Sequence, residues 1–187
     1  EAASTLGALA AIAKCRVGSL VLRATLRPPA VTAAIARTLA SVSPHGAVIG
    51  LGIGDRLTRD EGRRFGMPTQ GLDARLGLLE ETIGLIRKSA PEAKVWVGGR
   101  HHKVRTVAAK LADGWNAWDA SLEEFREEAE EVRAWADRPL TVSWGGTVRL
   151  EDKRPPLSEL ASVADELVVS LVPNRRPSWE LVPSLLS

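Results

Sequence analysis

The chain has 187 residues, 44% hydrophobic and 26% charged, with a net charge of +2, which is enough to bury one sizeable core in a single domain spanning residues 1–187. No apolar run approaches the about 20 residues of a membrane span, and the pI near 9.0 comes from bases scattered among acids, so neither membrane nor nucleic acid is expected as a partner. The single cysteine, Cys15, excludes an internal disulfide framework and fits a reducing cytoplasm; it precedes an apolar strand, where burial is expected.

The chain begins at Glu1 without a basic leader, so no signal peptide is expected, and the absent initiator Met suggests a fragment or a processed chain. Thr5 to Ala13 reads as the end of a helix. Arg16 to Leu22 (RVGSLVL) is a buried strand, followed by a loop closed by Pro28-Pro29, a pair suited to a helix start. Val31 to Val42 is helical, with Ile35 and Leu39 inward. Ala47 to Ile53 (AVIGLGI) is apolar on both faces and is therefore a strand covered on both. Asp55 to Gln70 is a long polar loop of the length that usually carries function. Leu72 to Lys88 places Leu76, Leu79, Ile83 and Ile86 on one helix face.

Lys94 to Val97 is a short strand that stops at Gly98-Gly99, and a basic tetrad follows: Arg100, His101, His102 and Lys103. Val104, Val107, Ala108 and Leu111 then recur at helical spacing, ending near Asp113-Gly114, and Trp115 opens the next strand. The first amides of a helix lack intrahelical partners and lie at its positive end, so Gly98, Gly99 and this helix start can hold a phosphate. A solvated basic turn is the plain alternative. Ser121 to Trp135 opens with a capping pattern, Ser121 with Glu124, and its acids are expected to pair with Arg126 and Arg133 along the helix. Leu140 to Trp144 is a strand ending at Gly145-Gly146. Pro156 to Leu167 reads as a helix capped by Ser158, Leu167 to Val172 as the last strand, Pro173 to Pro177 as a turn and Trp179 to Leu186 as a closing helix.

Repeated strand-helix units imply a parallel sheet, either open and doubly wound or closed as a (β/α) barrel. Six strands are predicted here, where a complete barrel has eight. Trp144, Asn116 and Trp118 stand at strand ends, as cleft wall or as core. Arg175 and Arg176 follow the last strand, free to meet an anionic tail or only solvent. His45 precedes a strand, on the side of such a barrel that serves stability. Apart from the adjacent His101 and His102, no His, Cys or carboxylate cluster has metal-ligand spacing, and no metal is expected.

Three segments, VGSLVLRATLRPPAVTAAIARTLASVSPHGAVIGLGIGD, RFGMPTQGLDARLGLLEETIGLIRK and VWVGGRHHKVRTVAAKLADGWNAW, together resemble the bacterial luciferase-like monooxygenases, and most of all the oxidoreductases that use the deazaflavin F420. The resemblance runs from about Thr5 to Val172. It implies an α/β fold of the (β/α) TIM-barrel type, here incomplete and lacking the first strand-helix-strand portion, with coenzyme F420 or alternatively FMN at the C-terminal strand ends, a small-molecule substrate and a homodimer. It places a non-prolyl cis peptide and bulge at Ser19, Leu20 and Val21, behind the ring. Leu51 to Asp55, with Ile53, Gly54 and Asp55 at its tip, matches the strand end presented to the ring; Asp55 either contacts substrate or pairs with Arg56 or Arg59. Gly98, Gly99, Arg100, His101 and His102 match the phosphate loop. Relatives carry catalytic residues on their first two strands, so no catalytic residue is assigned. The expected function is hydride transfer between F420 or FMN and an organic substrate. A shortened, non-catalytic cofactor- or partner-binding member is the alternative, and a phosphate-recognising barrel of other chemistry, such as an isomerase or aldolase, a third.

Overall fold

The structure is a computed structural model that describes residues 2–55, 59–68, 70–149 and 156–172. Its elements are α1 (Ala2–Ile12), β1 (Val17–Arg23), α2 (Pro29–Val42), β2 (Ala47–Gly52), α3 (Arg59–Arg64), α4 (Leu72–Ser89), β3 (Lys94–Gly98), α5 (His102–Leu111), β4 (Gly114–Trp118), α6 (Leu122–Trp135), β5 (Thr141–Arg149), α7 (Leu157–Ala161) and β6 (Glu166–Val172). The six strands are parallel and hydrogen-bond in the order β1-β2-β3-β4-β5-β6. That sequential order decides between the two architectures, since a doubly wound sheet reverses at a switch point and a barrel does not.

The curl is held at its base. Arg16, just before β1, donates through Nη2 to both carboxylate oxygens of Glu166 at the start of β6, at 2.6 and 2.7 Å. The two outer strands thus come within side-chain reach, although among the described residues no ladder joins them.

The core lies between sheet and helices, as the periodicities require. Leu76, Leu79, Ile83 and Ile86 are buried on α4, Leu39 on α2, and Val104, Val107 and Ala108 on α5, whereas Leu111 is partly exposed. Two aspartates set strand register by one device. Asp113 Oδ2 accepts from the Val95 amide at 2.7 Å while its own amide donates to the Val95 carbonyl, and Asp165 does the same with Val142. Each also meets an arginine from a helix, Arg87 of α4 and Arg133 of α6.

Several expectations are corrected. Cys15 is exposed, because it stands in the turn ahead of the strand rather than in its apolar run. The polar stretch after Asp55 contains α3, which ends on the bases Arg63 and Arg64 as the helix dipole favours; without an apolar stripe, that turn of helix left no periodic signal. β5 runs on through Gly145-Gly146 to Arg149. α7 stops at Ala161, and Ser158 does not cap it, because Asp165 is committed to starting β6. Among the described residues no ion pair joins the α6 acids to Arg126 or Arg133; Glu124, Glu128 and Glu131 instead cross to Arg100 and Arg105, as described below. The turn and helix expected at 173–186, with Arg175 and Arg176, lie outside the described residues.

Candidate functional site

The C-terminal ends of β1 to β4 surround a cavity of about 680 Å³, within the roughly 300–1,000 Å³ of small-molecule sites. Leu20, Val21, Ile53, Gly54, Asp55, Gly98, Gly99, Arg100 and His101 all contribute to its wall, as do Asn116 and Trp118; among the candidate residues His102 does not. Trp144 belongs to the core instead: its ring is buried and its Nε1 donates to the Ala120 carbonyl. His45 is exposed before β2, at the opposite end.

The bulge on β1 is built by glycines on its neighbours. The Leu20–Val21 peptide is cis, as the resemblance implied, and register with β2 shifts between Ser19 and Leu22. Val21 consequently lies over the glycines of β2 and β3. A Cβ on Gly52 would stand 2.6 Å from Val21 Cγ2, and one on Gly98 2.8 Å from Val21 Cγ1, closer than packed carbons come. Ser19 Oγ closes the bulge on the other side by donating to the Gly50 carbonyl. Three separate stretches of sequence, VGSLVL, VIGLG and VWVGG, therefore interlock at one point.

The tip of β2 is held by a residue that periodicity does not single out. Arg75, in the second half of the opening turn of α4, donates from Nη1 to the carbonyls of Gly54 at 2.8 Å and Ile53 at 3.3 Å. A base near a helix N-terminus opposes the dipole, and that oddity was the available signal. Asp55 is partnered; Arg56 and the Arg59 side chain, its expected partners, are outside the described residues. A second, smaller cavity beside the first is lined by Arg23, Asp55, Met67, Pro68, Gln70 and Arg75, among others.

At the tip of β3 the turn is braced rather than bare. Gly99 adopts φ +136; its amide donates to the Asn116 carbonyl at 3.2 Å and its carbonyl accepts from Trp115 Nε1 at 2.9 Å. Both of its polar groups are therefore used, so it cannot offer its own amide to an anion. The Lys103 amide donates to the Nδ1 of His101, which caps α5, and the Val104 and Arg105 amides donate to the His101 carbonyl. Among the described residues, no hydrogen bond engages the amides of Arg100, His101 and His102. With Nδ1 accepting, a neutral His101 ring carries its proton on Nε2, a further donor. The unengaged amides thus lie one to three residues after the glycine pair.

The tetrad's permanent cations are already paired. Lys103 Nζ meets Asp73 Oδ1 at 2.7 Å, and this contact holds the exposed Asp73 carboxyl below its ordinary range. The Arg100 guanidinium turns to α6, Nε to both oxygens of Glu128 and Nη2 to Glu124 Oε1 at 3.1 Å. Deeper in the barrel, Asn116 Nδ2 donates to Ser143 Oγ at 2.6 Å, with both residues buried. Among the described residues, no group of three or more His, Cys, Asp or Glu side chains is arranged to hold a metal, and no helix is long and apolar enough to cross a membrane.

Comparison with known proteins places this geometry. No curated protein matches the sequence. Among solved structures, the chain is similar to the coenzyme F420-dependent tetrahydromethanopterin reductase from Methanopyrus kandleri (17% identity, TM-score 0.65, covering 80% of this chain and 55% of that one). It is similar to an F420-dependent secondary alcohol dehydrogenase in complex with an F420-acetone adduct (16%, 0.66, 79% and 54%). It is also similar to riboflavin lyase with modified FMN and riboflavin (13%, 0.63, 79% and 45%). The chain thus spans about half the length of these structures, and at such identities the likeness is one of fold. The sequence itself matches the family described as luciferase-like monooxygenase over residues 1–161. With that match covering most of the chain and six parallel strands curled in barrel order, this protein belongs to the luciferase-like monooxygenase family.

Proposed function

We propose that the chain binds a deazaflavin or flavin cofactor, F420 or FMN, and serves hydride transfer between that ring and a small organic substrate. The observation that carries this reading is the convergence of the β1, β2 and β3 tips on one cavity whose wall includes Arg100 and His101, which carry unengaged amides at a helix start. The residues fit such a group. Leu20, Val21 and Ile53 offer an apolar bed, with Gly54 and Asp55 at its rim. Gly98 lets Val21 lie close over the strand, where a Cβ would meet Val21 Cγ1 at 2.8 Å. The amides of Arg100, His101 and His102 would take the phosphate, with His102 contributing backbone alone.

When bound, the ring accepts or delivers the hydride. The chain's own residues bind and orient: Arg75 fixes the β2 tip, and Trp115 and Asn116 fix Gly99. The names of the similar structures support F420 and FMN as the two candidates. The reading extends to a homodimer in the cytoplasm. A non-catalytic cofactor- or partner-binding member is the second reading.

Titrating the protein with F420 and with FMN, followed by ring fluorescence, tests the site. Saturable binding of either at micromolar concentration is expected, and binding of neither removes the reading. Single-turnover oxidation of reduced F420 by a candidate acceptor then separates enzyme from binder.

A further inference from the structure

Glu128 lies on α6, outside the cavity wall, yet it is joined to the anion-binding turn. Its carboxylate accepts from Arg100 Nε at 3.0 Å and pairs with Arg105 Nη1 at 3.1 Å. Arg105 in turn meets Glu131 at 2.9 Å and lies over the Trp135 ring, 5.9 Å from its centroid. The side chains of Glu128 and Arg105 are 15% and 11% exposed, against 32% for Arg100. An ion pair this sheltered is weakly screened, and removing one partner leaves an uncompensated buried charge, so its loss is felt far more than that of a surface pair. Arg100 follows Gly99 directly and carries the first of the unengaged amides. Its side chain is therefore the lever by which α6 can fix the turn.

We infer that Glu128 is a positioning residue for the anion site: it holds Arg100 and Arg105 together, keeps the Arg100 guanidinium off the anion and fixes the amides of residues 100–102 toward the cavity. This rests on the cofactor reading above, because the anion is taken to be the phosphate of the cofactor. The opposite role for Arg100, a direct phosphate ligand, predicts changes of opposite sign.

The test uses Glu128→Gln, which keeps the shape and removes the charge. Two quantities are measured: hydrogen exchange at the Gly99, Val104 and Arg105 amides, whose bonds define the turn, and the ratio of FMN to riboflavin affinity, riboflavin being the same ring without phosphate. Exchange is expected to accelerate about tenfold at these amides and not in the β3 core. FMN affinity should fall about tenfold, with riboflavin changed by less than about twofold. Unchanged exchange, equal losses for both ligands, or tighter FMN binding overturns the inference. Should Glu128→Gln not fold, Arg100→Met, at a more exposed position, replaces it. The same two changes are expected, whereas a direct ligand would lose FMN affinity with exchange unchanged. If the unaltered protein binds neither FMN nor F420, the cofactor reading fails, and the exchange comparison alone decides the role of Glu128.

Discussion

At the scale of single residues, the two glycines that end β3 have different physical duties. Gly98 is small because Val21 occupies the space above it: a Cβ there would lie 2.8 Å from Val21 Cγ1, so Gly98→Ala must displace the β1 bulge. Gly99 is small because its φ of +136 is closed to branched side chains, and a Cβ there would also press on Val104 Cγ1 at 3.2 Å. Each substitution is expected to cost about 1–3 kcal/mol of stability in urea unfolding. Their binding signatures should differ. Gly98→Ala moves the apolar bed and lowers affinity for riboflavin and FMN alike, whereas Gly99→Val distorts the turn and lowers FMN affinity more than riboflavin. Equal effects on both ligands from both variants would dissolve the division of the site into ring end and phosphate end. The glycine pair was visible in the sequence, but its division of labour was not, because Val21 reaches it from a strand some eighty positions earlier.

At the scale of elements, α6 shows what local pattern reveals and where it stops. The Ser121 and Glu124 spacing announced a capping box, and both bonds are present: the Glu124 amide donates to Ser121 Oγ at 3.3 Å, and the Ser121 amide to Glu124 Oε2 at 3.0 Å. That backbone bond, reinforced by Arg100, holds the Glu124 carboxyl down at about 2 instead of its usual 4.5. A depressed carboxyl pKa stabilises the folded state fully above the ordinary value and loses that contribution as pH falls through the folded one. The stability gap between the native protein and Glu124→Gln should therefore be constant above about pH 5.5, shrink below it and be mostly lost by about pH 2. Urea midpoints measured at pH 7, 5.5, 4 and 2 read this directly; a gap as large at pH 2 as at pH 7 would detach the cap from the carboxylate. The partners of the other α6 acids were not legible. Glu128 and Glu131 look like a solvated stripe when the helix is read alone, and only the packing of α5 beside α6 brings Arg100 and Arg105 to them. Apolar periodicity located α2, α4 and α5 because burial selects it; α3 and the end of α7 escaped because dipole and strand register set them instead.

At the scale of the whole molecule, an open doubly wound sheet and a barrel both fitted the alternation of elements and only the resemblance favoured the barrel, but the strands themselves were legible as apolar runs, several closed by Gly or Pro. How the ends of the sheet meet was not, because Arg16 and Glu166 lie 150 positions apart. Their bidentate contact is half exposed at Arg16, so in solution it contributes on the order of 0–1 kcal/mol. Its consequence is geometric. Among the described residues, β1 and β6 each keep one unpaired edge, and an exposed edge is a template for another chain. By drawing the bases of these strands together, the pair narrows the opening through which a foreign strand would add. Arg16→Glu places two carboxylates across that opening and should change stability by less than about 1 kcal/mol while increasing concentration-dependent association in sedimentation velocity. Restoring complementarity with Glu166→Arg on the same chain should return association to its original level. If the single reversal leaves association unchanged, the outer strands are kept apart from other chains by something other than this contact; if the double variant fails to reverse it, the effect belongs to Arg16 alone and not to closure of the sheet.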